Sequence, residues 1–186
     1  YNKKLSNIVF MGMGEPLLNY KDVLKAIERI TSSDSFGMSP KRITVSTAGV
    51  AKMIKKLGDD GVRFNMALSL HASNAIKRNN IKSLTEALNY FYAKTKSAIT
   101  LEYVLLNGVN DSLQDAKELA EIYKRIPVHT INVIEYNTVD GIAFTKSDEN
   151  NTEAFVKYLS GRKVNVHIRR SRGKDIDAAC GQLANK

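Results

Sequence analysis

The chain has 186 residues, of which 43% are hydrophobic and 25% charged, a globular composition that excludes dominant disorder. With 11 Gly and 3 Pro it is neither collagen-like nor low-complexity, and it has no apolar run of the roughly 18 residues that a membrane helix needs. Lys and Arg number 28 against 19 Asp and Glu, and the net charge of +9 favours a polyanionic partner, nucleic acid first.

The chain opens on YNKKLSNIVF, with no initiator Met, and so reads as the middle of a longer protein. NIVFMG at 7–12 is a short apolar run ending in glycine. Val23, Leu24, Ile27 and Ile30 then fall on one helical face. RITVST at 42–47 is rich in β-branched residues and predicts a strand. Val50, Met53, Ile54 and Leu57 form the next helical stripe, and RFNMALSL at 63–70 the next strand. The polar, basic stretch 73–83 reads as a surface loop. Ser83 and Glu86 form a capping box that would open a helix with Leu84, Leu88 and Phe91 inward. ITLEYVLL at 99–106 predicts a strand, and Asp111 can cap a helix carrying Leu113, Ala116, Leu119, Ala120 and Tyr123. HTINVIEY at 129–136, a helix around Phe155, Val156 and Leu159, and KVNVHIRR at 163–170 complete the order. Alternating strands and helices predict an α/β fold with parallel strands and right-handed crossovers. An open doubly wound sheet and a partial (β/α) barrel both fit the pattern.

In such folds the chemistry sits at the C-terminal ends of the strands. Those ends carry Met13, Gly14, Glu15 and Pro16; Ser46 and Thr47; Ser69, Leu70 and His71; Glu135, Tyr136 and Asn137; and Arg169, Arg170, Ser171 and Arg172. A carboxylate, hydroxyls, an imidazole, an amide and guanidiniums would project from one rim. That mix suits a small ligand with amine, carboxylate and ribose hydroxyls, with phosphate nearby. Alone, each residue is better read as a turn, cap, surface-pair or structural residue, and the site reading rests on several falling on one rim.

The one cysteine, Cys180, excludes an internal disulfide, a structural zinc site or an iron–sulfur cluster built from this chain's cysteines alone. One thiol suits a reducing, cytosolic setting. Ala179 and Gly181 flank it, and Arg170, Arg172 and Lys174 lie close in sequence. An exposed thiol with a lowered pKa would be a nucleophile; a buried one would be inert.

MGMGEPLLN at 11–19, VSTAGV at 45–50, SLHA at 69–72, LLNGVNDS at 105–112, EYN at 135–137 and RRSRGKDIDAACGQL at 169–183 occur in order. Together they closely resemble the radical-SAM RNA adenine methyltransferases of the RlmN/Cfr type. The resemblance implies that residues 1–186 form a partial (β/α) barrel ending in a cysteine loop. It implies binding of S-adenosylmethionine (SAM) and, in the full-length protein, a four-iron four-sulfur cluster. Gly14 and Glu15 would take the methionine end of SAM, with Glu15 on its amine. Ser46 would add a contact, Ser69, Leu70 and His71 would lie along the nucleoside, and Asn137 would hold the far side. Cys180 would accept a methyl group and carry it to the base, as the catalytic residue. In the family a second SAM is then cleaved reductively, the thioether methyl becomes a carbon radical that adds to adenine, and a second cysteine resolves the adduct. The implied substrates are 23S rRNA and tRNA, with Arg169, Arg170 and Arg172 as RNA contacts. An electron donor such as flavodoxin, a cytoplasmic location and a monomeric state are also expected.

The family's CxxxCxxC cluster loop and resolving cysteine have no counterparts here, so this chain alone should bind no cluster and perform no radical chemistry. The segment after SLHA also lacks an expected Met-Pro-Ile-Asn stretch. GEPLLN with VSTAG favours methylation at carbon 2 of adenosine over the family's carbon-8 branch. A reading from another class is a basic RNA-binding α/β module without catalysis.

Overall fold

A computed structural model describes residues 5–72, 81–138 and 143–170. Six strands form one sheet: β1 (Ile8–Phe10), β2 (Ile43–Thr47), β3 (Asn65–Ser69), β4 (Ile99–Leu105), β5 (Thr130–Glu135) and β6 (Val166–Arg169). Five helices connect them: α1 (Tyr20–Thr31), α2 (Ala51–Asp59), α3 (Ile81–Thr95), α4 (Leu113–Arg125) and α5 (Glu149–Gly161). All neighbouring strands pair in parallel, and their order in space is their order in the chain. A doubly wound sheet reverses direction at a switch point, and this one does not. Right-handed crossovers that always step the same way carry every helix to the same side. The architecture is therefore the partial (β/α) barrel.

The two faces of the sheet differ in chemistry. Ile43 and Val45, Met66 and Leu68, Leu101 and Tyr103, and Ile131 and Val133 are buried together. They meet Ile54 and Leu57 of α2, Phe91 of α3, Leu119 of α4, and Phe155 and Leu159 of α5 in one core. Each such side chain contributes about 1.5–3 kcal/mol by leaving water. Tyr103 stacks on Phe155 at 5.6 Å between ring centroids, joining sheet to helix. Gly58 lets α2 approach α3 closely, since a Cβ there would stand 3.2 Å from the Tyr90 ring. The alternate strand positions carry Thr44, Ser46, Ser69, Thr100, Glu102 and Asn132. Parallel strands covered on both faces read as nearly continuous apolar runs. Here polar residues are interspersed along the second face, which no helix among the described residues covers.

Three local expectations are corrected. Ser83 lies inside α3 and does not cap it. The apolar stripe Ile81, Leu84, Leu88 and Phe91 already runs at helical spacing before Ser83, and Ile81 packs against the core. Residues 81–83 are therefore helical, while 73–80 lie outside the described residues. Asp111 does not cap α4 either. Ser112 does, with Asp115 completing the capping box. The Asp111 carboxylate instead accepts from the Gly108 N–H at 3.0 Å and from the buried Ser147 hydroxyl at 2.6 Å. Among the described residues no helix is long and apolar enough to cross a membrane.

Candidate cofactor site

Beyond β1, Gly14 adopts φ +87°, a conformation that side chains other than hydrogen rarely tolerate. No neighbouring atom crowds the position, so glycine is needed there for its backbone and not for space. The turn delivers Glu15, which caps a short 3-10 turn at Pro16–Asn19. One carboxylate oxygen accepts from the Leu17 N–H at 2.9 Å, and the other from the Ala48 N–H at 2.6 Å. Glu15 thus ties the loop after β1 to the loop after β2. These two bonds leave carboxylate lone pairs for a further donor, since an ionised carboxylate offers about four acceptor sites.

On the open face Ser46 Oγ of β2 stands 3.5 Å from Ser69 Oγ of β3. Past Ser69 the chain makes two abrupt changes. Leu70 turns its side chain into the core at 2% exposure, so only its main chain can face a ligand. His71 follows with φ +52°, and Nδ1 of its ring accepts from the Val104 N–H at 3.2 Å. A neutral ring that accepts at Nδ1 carries its proton on Nε2 and presents a donor there.

Asn110 locks this corner, and the sequence reading missed it. Its side-chain oxygen accepts from the Leu106 N–H at 2.7 Å, and its amide donates to the carbonyls of His71 and Val104, both at 2.8 Å. Its own carbonyl accepts from the Tyr103 hydroxyl at 3.0 Å. At 1% exposure it is fully buried. The NGVND string carried the only signal, because Asn in a turn bonds to nearby backbone. Asn110→Ala is expected to cost on the order of 3 kcal/mol, since it leaves several buried groups unpaired. Asn110→Asp should cost more at pH 8 than at pH 5, because a carboxylate would face two carbonyl oxygens. Chemical denaturation at the two pH values checks both.

Beyond β5, Asn137 is buried at the strand end. The buried Tyr136 hydroxyl beside it has no hydrogen-bond partner among the described residues, and the Tyr136 ring meets Phe144 edge-on at 6.4 Å. Glu102, in the middle of β4, was also missed. It accepts from the Asn132 amide at 2.8 Å and stands 3.5 Å from Arg169 Nη1. Burial pushes its pKa up, and Asn132 and Arg169 offset this only in part. A carboxyl group whose folded pKa is raised contributes most at low pH, and that stability is lost as the pH rises from the ordinary carboxylate range through the folded value. Glu102→Gln is therefore expected to melt no lower than the wild type at pH 8, with the difference vanishing near pH 4. Thermal melts across that range measure it.

The structure thus brings Gly14, Glu15, Ser46, Ser69, His71 and Asn137 to the C-terminal rim of one sheet. Arg170 is exposed just past β6. Cys180 and Arg172 lie outside the described residues. Part of the positive charge has a local cause away from this rim. Arg29, Lys56, Lys94, Lys124 and Arg125 occupy helix last turns, where cations complement the helix dipole. Among the described residues no three His, Cys, Asp or Glu side chains are grouped to hold a metal. With a single cysteine in the chain, its residues do not fit an iron–sulfur cluster. They do fit SAM. Glu15 can take an ammonium group, the hydroxyls and His71 can take ribose and adenine edges, and the Tyr136 hydroxyl is a buried polar group still to be satisfied.

A parallel sheet in chain order, with polar groups on its C-terminal rim, is a partial (β/α) barrel with a candidate ligand site. A radical SAM methyltransferase from Sphaerobacter thermophilus superposes with a TM-score of 0.90 at 34% identity, over 97% of this chain and 55% of that one. A domain of pyruvate-formate lyase-activating enzyme from Bacteroides vulgatus shares the fold, with a TM-score of 0.67 at 16% identity. No family model matches the chain. A probable dual-specificity RNA methyltransferase RlmN from Flavobacterium psychrophilum is 52% identical over all of this chain and 56% of its own length. The corresponding protein of Salinibacter ruber is 46% identical over all of this chain and 53% of its own length. Over its whole length the chain is similar to these RlmN proteins and to the radical SAM methyltransferase, and it spans about half the length of the curated relatives it matches. The Flavobacterium alignment covers 195 positions against 186 residues here, so that relative has residues without counterparts in this chain.

Proposed function

We propose that the full-length protein is a cytoplasmic, SAM-dependent RNA methyltransferase that methylates carbon 2 of an adenosine in 23S rRNA and in tRNA. The observation that carries this reading is the meeting of Glu15, Ser46, Ser69, His71 and Asn137 on one rim of a radical-SAM-type barrel. The similarity to proteins named as dual-specificity RNA methyltransferases supports it.

Bound SAM would supply an activated methyl group on its sulfonium. Glu15, already oriented by two backbone N–H groups, would accept from the SAM amine. Ser46 and Ser69 would pair with its hydroxyls, His71 would donate from Nε2, and Asn137 would hold the adenine side. The Cys180 thiolate would attack the sulfonium methyl, forming a thioether and releasing S-adenosylhomocysteine. Adenine carbon 2 is electron-poor and takes no methyl by simple displacement; a bound iron–sulfur cluster would supply the reductive chemistry for the second transfer, and its ligands and a resolving cysteine would be residues other than these. Arg170 and Arg172 would meet the RNA backbone.

In calorimetry on the cluster-loaded full-length protein, Ser69→Ala and Asn137→Ala should each weaken SAM binding severalfold, by about 1 kcal/mol per lost hydrogen bond. Unchanged affinity in both would move SAM off this rim.

A further inference from the structure

Arg169 and Arg170 are adjacent at the end of β6 but meet different surroundings. The Arg170 side chain is exposed beyond the sheet. The Arg169 side chain returns across β5 to Glu102 on β4, with Nη1 3.5 Å from Oε2. Glu102 is paired in register with Ser69 on one side and Asn132 on the other. The guanidinium therefore lies over the open face about one strand spacing, ~4.8 Å, from the strand that carries Ser69.

We propose that Arg169 is a ligand-binding residue of the open sheet face, held there by Glu102 and Asn132, and that it binds an oxygen of SAM and not the RNA backbone. The assignment rests on the proposed use of this face for SAM. Three observations carry it. Glu102 is 5% exposed, yet it stands on the face of the sheet opposite the helices of the described residues. A buried carboxylate is costly in a purely structural sheet, and such groups cluster at functional sites. Asn132 takes one Glu102 oxygen and Arg169 the other, so the carboxylate is divided between an orienting amide and the guanidinium it orients. The Arg169 side chain is 53% exposed, and a guanidinium has five N–H donors of which Glu102 engages one nitrogen. Donors therefore remain reachable from the space above Ser69. Glu102 acts here as a positioning residue, through Arg169.

The test uses the cluster-loaded full-length protein with two readouts: SAM affinity by calorimetry, and the salt dependence of binding to a short RNA hairpin. Arg169→Ala should weaken SAM roughly tenfold, the scale of a charged hydrogen bond, and leave the slope of log affinity against log salt unchanged. Arg170→Ala should reduce that slope by about one counterion and leave SAM affinity unchanged. Glu102→Gln should reproduce most of the Arg169→Ala loss, and the double variant should lose no more than Arg169→Ala alone, because both act through one group. If Arg169→Ala does not fold, Arg169→Lys keeps the charge without the planar fork and should still weaken SAM. An Arg169 variant that binds SAM as tightly as the wild type overturns the assignment, whether or not its salt slope falls. Additive losses in the double variant overturn the positioning role of Glu102. Wild-type protein that takes up no SAM overturns the proposed function together with this assignment.

Discussion

Replacing Cys180 with alanine in the full-length protein is expected to abolish methyl transfer to RNA and leave the barrel folded. Among the described residues the core is already closed by the sheet, the five helices and their connecting loops. The ligands of the proposed cluster would also be other residues, because one thiol cannot supply them. A thioether on Cys180 is the proposed methyl carrier, and this chain has no second cysteine to replace it. Wild-type protein isolated from cells should carry an added methyl on the tryptic peptide containing Cys180, read by tandem mass spectrometry. Circular dichroism should not separate the variant from the wild type. Residual methylation by the alanine variant would make Cys180 a structural residue.

The second large effect is expected at Glu15. Both of its oxygens accept from backbone N–H groups, one in its own turn and one in the loop after β2. Glutamine fits the same space but offers one acceptor and one NH2 group. One of the two N–H groups must then face a donor. Glu15→Gln should separate the two loops as well as remove the charge proposed to take the SAM amine. Loss of that charged hydrogen bond alone is worth roughly 1.5–3 kcal/mol, about tenfold or more in affinity. Glu15→Asp keeps the charge but is one methylene short, so it should weaken SAM less than glutamine does. Calorimetry of the two variants gives the order. Equal affinity in both would leave Glu15 as a loop staple only.

Much of the barrel was legible in the sequence because its elements are locally encoded. ITVST is rich in β-branched residues and alternates in burial, ITLEYVL alternates apolar with polar over its first five positions, and the stripes of α2 and α4 repeat at helical spacing. The choice between a doubly wound sheet and a barrel was not local, since it depends on which strands pair. One clue was present in the composition of the strands. Thr100, Glu102 and Asn132 alternate with apolar residues, and parallel strands sandwiched between two helix layers do not tolerate that. The rim residues followed from the strand ends. Glu102 and Asn110 did not, because what defines them is distant. Glu102 meets Arg169 67 positions away, and Asn110 meets His71 39 positions away. Ser83 and Asp111 misled for the opposite reason. Each has the chemistry of a cap, but the stripe from Ile81 and the Ser112–Asp115 box were stronger local signals.

The most direct test is the product. Full-length protein carrying its cluster, incubated with a reductant, 23S rRNA fragments and SAM bearing a deuterated methyl, should yield 2-methyladenosine carrying label on digestion and nucleoside mass spectrometry. Label in 8-methyladenosine, or no labelled adenosine at all from protein that binds both SAM and RNA, would contradict the account.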